Sequence, residues 1–409
     1  TTDNGAGLNN LGTLAVSNSL ISGNTSGFVG GGIFSSGTLS VSGSTFTSNS
    51  AKYGGGLYIS SSGTGTVSNS TFSGNISFAQ GGGLFNNGIL TITNSTVSGN
   101  TAETNYNFGV GIHSNGTVYI ANTIIANSTN GVDYYGTNPN LISPATKYSN
   151  LVTQSGLAWA TTVTSAQLKL GSLQDNGGPT FTMALGTGSA AIGAGNATIS
   201  NAAPINGKDQ RGYPRSSTAP SIGAFEYIPA TQSTLTTTAA GAPSGSAFTT
   251  QPVITIKDAF GNIVTNSTAS VTMTVSSGAT TLGITTINAV AGIATFAGVG
   301  ISGTAGTPYT LTFTSTGLTI ATQTITPTFG IATQAPLTTN PAGAPSGSAF
   351  TTQPIITIKD AFGNTVTNNT ASVTMTVSSG DNKATTVGAF TINAVAGIAT
   401  FAGVGISGT

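Results

Sequence analysis

The chain has 409 residues, of which 37% are hydrophobic and only 4% are charged, with nine basic residues balancing nine acidic ones. Nine scattered cations exclude the clustered Lys and Arg that nucleic-acid binding requires. The absence of cysteine excludes disulfides and thiolate metal sites, and no apolar run is long enough to make a transmembrane segment.

The N-terminal part repeats a unit of glycines followed by short apolar strands. Glycine clusters stand at Gly30–Gly32, Gly54–Gly56 and Gly81–Gly83, with a weaker copy at 109–111. Neighbouring side chains of a strand face opposite ways, so the aligned copies define inward columns. The columns are Leu14, Leu39, Leu90 and Val118; Val16, Val41, Val67, Ile92 and Ile120; and Ile21, Phe46, Phe72, Val97 and Ile125. Stacking these columns predicts an all-β fold that begins with a right-handed parallel β-helix over residues 1–135.

Asparagines form two further columns at positions where the chain should turn a corner. They are Asn18, Asn69, Asn94 and Asn122 in one column, and Asn24, Asn49, Asn75 and Asn100 in the other. Asn tolerates the left-handed conformation, and stacked amides can hydrogen-bond from coil to coil. We therefore expect both columns to be structural Asn ladders.

The pairing of a Gly-Gly-Gly-apolar tetrad with Phe-x-x-Asn resembles the repeats of polymorphic outer membrane proteins, a family of bacterial surface and autotransported adhesins. The resemblance covers about Gly5 to Asn127, where Val97 and Ile125 replace the family's Phe. It implies an exported adhesin with a β-helix passenger.

Four motifs follow in residues 136–228. They are Leu173–Thr180 (LQDNGGPT), Gly188–Gly195 (GSAAIGAG), Asp209–Arg215 (DQRGYPR) and Ile222–Tyr227 (IGAFEY). Their succession is similar to the choice-of-anchor Q domain of bacterial exported proteins. That resemblance implies the end of a β-helix joined to a variable downstream region.

The densest group of charges in the chain falls in these motifs. Its members are Asp175, Asp209, Arg211, Arg215 and Glu226. One interpretation is a carbohydrate-binding or catalytic site. The other, which we favour, is structural: buried charges must be paired, and Arg–carboxylate pairs fasten loops. We expect these residues to form a C-terminal cap that protects the last coil from edge pairing.

Two near-identical segments follow, at 229–334 and 335–409. Gly241–Pro252 recurs at Gly343–Pro354, and the loop Asp-Ala-Phe-Gly-Asn occurs at 258–262 and 360–364. Short alternating strands between turns predict tandem Ig-like β-sandwich domains. The pattern resembles bacterial Ig-like repeats of the invasin and intimin kind, which act as stalks of surface adhesins. The second copy stops before its closing strands, so we expect it to be a window from a longer chain or to receive strands from another subunit.

Metal binding and catalysis find little support in the sequence. Asp258 and Asp360 supply one carboxylate each, fewer than the several oxygen ligands that calcium takes, so calcium at the Ig-like junctions stays a minor alternative and no cofactor is expected. A polysaccharide lyase or hydrolase would need converging acid and base groups. Residues 1–130 offer only Asp3, Lys52, Glu103 and His113, which are far apart in the repeat.

The sequence thus predicts a non-enzymatic adhesin or extracellular fibre, located outside the cell or on its surface. Its expected partner is a glycan or cell surface. The alternative is a self-assembling filament or sheath subunit that exchanges strands with its copies. Because an uncharged surface lacks the charge that usually keeps proteins apart, we also expect O-linked glycans on exposed Ser or Thr.

Overall fold

The computed structural model describes residues 4–103, 108–136, 140, 149–154, 157, 160–343, 345–378 and 384–408. The chain divides into two compact units. The first is Thr1–Pro229 with Asn262–Asn266, and the second is Ala230–Gly261 with Ser267–Thr409. Strands far outnumber helices in both.

Four stacks of parallel strands form the first unit's coils. Sheet A consists of Leu8–Asn10, Ile33–Ser35, Leu57–Ile59, Leu84–Asn86, Gly109–Ser114 and Val132–Gly136. Sheet B consists of Thr13–Ser17, Thr38–Ser42, Thr64–Ser68, Ile89–Thr93 and Thr117–Ala121. Sheet C consists of Leu20–Ser22, Thr45–Thr47, Thr71–Ser73, Thr96–Ser98, Ile124–Ala126, Asn150–Val152 and Ala160–Thr162, and the short sheet D of Ser50–Tyr53, Ile76–Gln80 and Thr101–Ala102. Three successive coils, beginning at Ile33, Leu57 and Leu84, visit all four sheets in this order, and the strands of neighbouring coils pair in parallel, which confirms the parallel β-helix.

The coils stack in register on a continuous apolar core. Val41 pairs with Val67 in sheet B, and Phe46 pairs with Phe72 in sheet C. The rings of Phe46 and Phe72 stack with centroids 4.3 Å apart, and both are fully buried. A side chain at Gly55 would clash with backbone oxygens of the next coil, so the glycine clusters mark places where two coils approach closely.

The segment after the coils, residues 163–227, lies along the outer side of sheet C; we call it the flank segment. It contains helix α1 (Ser165–Leu168), the antiparallel strands Leu170–Gln174 and Thr182–Leu185, and helix α2 (Ala197–Asn201). Outward apolar side chains of sheet C, Ile124 and Leu151, pack in one cluster with Leu168, Leu185 and Ile222.

The flank segment reaches coils far from the end of the β-helix. Thr180 Oγ1 donates to the carbonyl of Gly43, Thr71 Oγ1 donates to Gln210 Oε1, and Ala224 N donates to Thr96 Oγ1. The prediction of a cap over the last coil is therefore wrong about position. The physical reason is that sheet C presents a row of outward hydroxyls that a polar segment can bind along the coils.

Antiparallel sheets form the second unit. The first copy of the sequence repeat holds Ala230–Thr237, Ser246–Ala247, Val253–Asp258, Ser270–Val275, Thr280–Leu282, Thr286–Asn288, Ile293–Thr295, Gly300–Ser302, Tyr309–Thr314 and Ala321–Ile325. From Ala332 onward the strands are Ala332–Gln334, Leu337–Thr339, Ser348–Ala349, Ile355–Thr357, Lys359–Asp360, Ser372–Thr374, Thr385–Val387, Thr391–Asn393, Ile398–Thr400 and Gly405–Ser407. We call 229–334 the first repeat and 335–409 the second repeat.

The two repeats differ in one sheet. Ser270–Val275 pairs with a strand on each side, Thr286–Asn288 and Tyr309–Thr314. Its counterpart Ser372–Thr374 pairs with Thr391–Asn393, and the described part of the second repeat provides no strand for the other side. As a result Val373 is half-buried, whereas the equivalent side chain in the first repeat is fully buried.

Candidate binding face of the β-helix

The second Asn column is a hydrogen-bonded ladder inside the coils. Asn49 Nδ2 donates to Asn75 Oδ1 at 2.9 Å, and Asn75 Nδ2 donates to Asn100 Oδ1 at 3.0 Å. Asn24 Nδ2 binds Asn49 Oδ1 at 2.9 Å in the same way. The positive φ at this corner belongs to the preceding residue, for example Gly74 with φ of 68°, and not to the Asn.

The first Asn column adopts the left-handed conformation itself, and three of its members bind the flank segment. Its φ angles lie between 44° and 50° at Asn18, Asn69, Asn94 and Asn122. Asn69 Nδ2 donates to the carbonyl of Lys208 at 2.9 Å. Asn94 and Asn122 both donate to Ser200 Oγ, at 2.8 and 3.0 Å, while Asn18 is exposed. This column is therefore mainly a docking row for the flank segment; along it, one longer bond of 3.4 Å joins Asn122 to Asn94.

Four of the five predicted cap charges come together within the flank segment. Arg211 pairs with Asp209 at 2.7 Å, and Arg215 lies 3.4 Å from Glu226. Arg215 also donates to Asn69 Oδ1 at 3.0 Å, which ties the cluster to the third coil. These four are buried. Asp175 stands apart, accepting a hydrogen bond from Gly177 N.

Burial is the largest influence on the pKa of two groups in this cluster, Glu226 and Arg215. It raises the pKa of Glu226, against the lowering effect of Arg215 and of the Ser221 and Ser216 amides. It also lowers the pKa of Arg215, against the raising effect of Asp209 and Glu226. Each Arg is bonded to backbone carbonyls as well as to a carboxylate, so the arrangement fastens loops and leaves no free acid or base.

The structure also places a row of aromatic rings on the outer side of sheet A, which the sequence reasoning missed. The row is Phe34, Tyr58, Phe85, His113 and Tyr135, with successive centroids 5.7, 5.2, 4.9 and 5.2 Å apart and ring planes within 17° of parallel. Each ring follows an inward residue such as Leu57 or Leu84. The signal existed in Gly-Gly-Gly-Leu-Tyr and Gly-Gly-Gly-Leu-Phe, where an aromatic residue follows the inward Leu, but the inward columns did not include these positions.

Further rings line the sheet D side of this row. Tyr53 packs edge-on against Phe85, and Phe28 packs edge-on against Tyr53. The Lys52 ammonium lies 5.3 Å from the Tyr53 ring and 6.0 Å from the Phe28 ring. The rings in the row cover each other's faces, so the exposed rings lie beside the row and at its end. Phe28, beside the row, is 50% exposed, and Tyr135, the last ring of the row, is 46% exposed.

Amides form the opposite margin. Asn115 Nδ2 donates to Asn87 Oδ1 at 3.1 Å, and Asn87 Nδ2 donates to the Tyr58 hydroxyl at 2.8 Å. Asn115 is exposed. We call the aromatic row with both margins the aromatic face; it combines aromatic rings, a margin of side-chain amides and one cation.

His113 is the fourth ring of this stack, between Phe85 and Tyr135. Burial lowers its pKa, against the raising effect of the Asn115 amide, whose Oδ1 lies 3.2 Å from Nε2. No hydrogen bond or ion pair joins His113, Lys52 and Glu103 to one another, and Asp3 lies outside the described residues. Among the described residues, no group of three His, Cys, Asp or Glu could hold a metal ion.

Asp360, weighed above as part of a minor calcium alternative, accepts four hydrogen bonds. Its Oδ1 accepts from Phe362 N and Asn364 N, and its Oδ2 accepts from Gly330 N and Asn364 Nδ2. Asp258 accepts from Phe260 N. At Asp360 the carboxylate therefore holds a loop in place.

Comparisons with known proteins support the first part of the fold. A family profile described as a right-handed β-helix region matches residues 2–146, so this part of the chain is a right-handed β-helix repeat structure. No curated protein gives a significant match. None of the helices in the described residues is long and apolar enough to cross a membrane.

Two kinds of solved structure resemble parts of the chain. A β-glucuronidase of Parabacteroides merdae is 12% identical over 29% of this chain, with a TM-score of 0.19, and the match spans 19% of the enzyme. FdeC, described as a broadly conserved Escherichia coli adhesin, is 18% identical over 48% of this chain and 70% of its own, with a TM-score of 0.23. At such TM-scores neither structure defines the function of this chain.

Proposed function

We propose that this chain is a non-enzymatic adhesin of the bacterial cell surface or extracellular space, and that its β-helix binds glycan through the aromatic face. In this proposal the two repeats are Ig-like domains of a stalk. The observation that carries the proposal is the row of rings on sheet A, with Phe28 and Tyr135 exposed at its margin.

Sugar chemistry fits a surface of this composition. The C–H face of a pyranose ring packs on aromatic rings, while its hydroxyls need hydrogen-bond partners such as amides. Asn115 and Lys52 provide polar groups on opposite margins of the row. The parallel coils repeat roughly every 4.8 Å, so an extended glycan lying along the axis would meet similar side chains coil after coil.

The binding test uses the full chain and a panel of immobilised bacterial and host polysaccharides. We expect the double variant Phe28→Ala/Tyr135→Ala to weaken binding at least tenfold, equivalent to about 1.4 kcal/mol. Phe181→Ala is the matched control, because Phe181 is 43% exposed on the flank segment of the same unit. Equal losses in both variants, or no binding to any polysaccharide, would refute the glycan assignment.

The absence of catalysis is tested separately. Glu103 and Asp133 are the acids of the coils within the described residues. The two carboxylate oxygens of Asp133 accept hydrogen bonds from Ser128, Thr153 and Gln154, so Glu103 is the acid to test. Release of reducing ends or unsaturated sugars from the same panel, abolished by Glu103→Gln, would contradict the proposal.

A self-assembling filament or sheath subunit that exchanges strands with its copies is the second candidate. Light scattering and electron microscopy of the purified chain distinguish the two candidates. Fibres that form without any glycan would favour the filament, and a monomer that binds glycan would favour the adhesin.

A further inference from the structure

The Asp-Ala-Phe-Gly-Asn loop of the second repeat fastens that repeat to the first. Asp360 is buried, and its Oδ2 accepts a hydrogen bond of 2.8 Å from Gly330 N. Asn364 makes two bonds to the first repeat: Oδ1 accepts from Ala305 N at 2.8 Å, and Nδ2 donates to the Gly303 carbonyl at 3.1 Å. Asn364 therefore satisfies two backbone groups of the first repeat, and Asp360 binds the segment that connects the two repeats.

The Phe of the same loop lies directly on a glycine of the first repeat. A Cβ atom added at Gly245 would clash with the ring of Phe362. Gly245 N donates to the carbonyl of Ile301 at 3.0 Å, and Ser244 Oγ donates to the carbonyl of Gly303 at 2.8 Å. We call Ser244, Gly245, Ile301 and Gly303 the socket of the first repeat.

The second repeat contains the same socket with the same hydrogen bonds. Gly347 N donates to the carbonyl of Ile406 at 3.0 Å, and Ser346 Oγ donates to the carbonyl of Gly408 at 2.8 Å. The two glycines have similar φ angles, 80° at Gly245 and 76° at Gly347. What differs is the space above them: at Gly347 the nearest side-chain atom to an added Cβ is Ser407 Oγ, at 3.8 Å.

We propose that the socket of the second repeat, formed by Ser346, Gly347, Ile406 and Gly408, accepts the Asp-Ala-Phe-Gly-Asn loop of another copy of this repeat when the two copies are linked in tandem. The occupant follows from the first junction, where a loop of this sequence already fills a socket of this sequence. The contact is small, so it depends on a covalent link that keeps the two partners at a high effective concentration. This inference goes beyond glycan binding and stands independently of it.

The test extends the full chain by a second copy of residues 305–408, placed after Thr409, which corresponds to Thr304 of the first copy. Because the chain has no cysteine, two introduced cysteines can carry spin labels. Val290 and Val395, which are 77% and 76% exposed, span the existing junction. Val395 and its counterpart in the added copy span the new junction. We expect both label pairs to give narrow distance distributions.

Substitution in each socket gives the matched comparison. Gly347→Val should at least double the width of the distribution at the new junction alone, and Gly245→Val should do so at the existing junction alone. A new junction that is broad from the start, or that Gly347→Val leaves unchanged, would overturn the proposal.

Both substitutions also place a side chain at a position with positive φ, which lowers stability. Thermal melting of the unextended chain carrying Gly347→Val measures this loss of stability. If that variant is unfolded, the loop side decides the outcome. Replacing the Phe of the loop in the added copy by Ala, equivalent to Phe362→Ala, removes the ring without touching the socket and should broaden the new junction. A narrow distribution in that variant would also overturn the proposal.

Discussion

A single buried amide, that of Asn75, satisfies groups on both neighbouring coils. Its Nδ2 donates to Asn100 Oδ1 and to the Phe46 carbonyl, and its Oδ1 accepts from the amide and backbone N–H of Asn49. Aspartate at position 75 would lose the two hydrogen bonds that Nδ2 donates, and leucine would lose every side-chain hydrogen bond. The hydrogen bonds of this corner therefore require Asn. Asn75-Ile76-Ser77 is also a sequon for N-glycosylation, but the Asn75 amide is fully buried, which disfavours glycosylation there.

We expect Asn75→Ala to destabilise the first unit by about 2–4 kcal/mol, because buried donors and acceptors lose their partners. Asn24→Ala is the matched control at the end of the ladder, where the amide is only partly buried, and it should cost about 1 kcal/mol. Urea unfolding followed by far-UV circular dichroism measures both values. Equal effects in the two variants would contradict the ladder as a source of stability.

Asp360 gives a prediction for pH. Burial alone would raise the pKa of its carboxyl, but hydrogen bonds from Gly330, Asn364 and Phe362 outweigh burial and hold the pKa below the ordinary value of 3.8. A carboxyl with a depressed folded pKa stabilises the fold above its unfolded pKa, and this contribution is lost as pH falls from 3.8 through the folded pKa.

Calorimetry across this range compares the original chain with Asp360→Asn. The melting temperature of the second repeat should be higher in the original chain at pH 6, and the difference should shrink as the pH falls below about 4. Asp175→Asn, which changes an exposed carboxylate, should give no such difference. If the difference in melting temperature between the original chain and Asp360→Asn stays constant with pH, the negative charge of Asp360 does not stabilise the fold.

At the scale of elements, the flank segment stabilises the β-helix from the side. The Arg215 guanidinium donates five hydrogen bonds, to Lys208, Ser221, Glu226, Asn69 and Gly223. Removing one partner of a buried ion pair leaves the other charge without compensation. Arg215 is thus the residue on which attachment of the flank segment to the coils should depend most.

We expect Arg215→Ala to cost about 3–5 kcal/mol and to loosen the flank segment before the coils. Hydrogen exchange measured by mass spectrometry should rise over residues 197–227, while sheet B strands keep their protection. Lys208→Ala is the control, since only the backbone carbonyl of Lys208 takes part in these bonds. If hydrogen exchange accelerates equally in the flank segment and in the coils, the flank segment does not loosen before the coils and the prediction is wrong.

At the scale of the whole molecule, each unit has a core of its own. Phe72 is fully buried in the β-helix core, and Phe313 is fully buried in the first repeat, where it packs against Phe296. Cores that share no side chains respond independently to distant substitutions.

Differential scanning calorimetry should therefore resolve separate transitions for the two units. Phe72→Ala, with an expected cost of about 3–5 kcal/mol, should lower the transition of the first unit alone. Phe313→Ala should lower only a transition of the second unit. If either variant shifts both transitions together, the units unfold as one cooperative system.

The sequence by itself determined which residues face the core. The columns of Val41 and Phe46 could be found from repetition alone, because a strand shows its two faces with a period of two and every coil meets the same neighbours. The ladder of Asn24 to Asn100 followed from the same repetition. The aromatic row was readable in principle, since each ring stands one residue after an inward side chain.

Only the tertiary structure decided what covers the outward residues. Thr71 and Thr96 are polar side chains that bond equally well to water or to protein, so their pattern could not indicate that Gln210 and Ala224 lie against them. The same holds for Asp360, whose loop sequence looks like an ordinary turn until Gly330 N reaches it. Local periodicity separates inside from outside, whereas contacts between distant segments depend on shapes that form only after the coils have stacked.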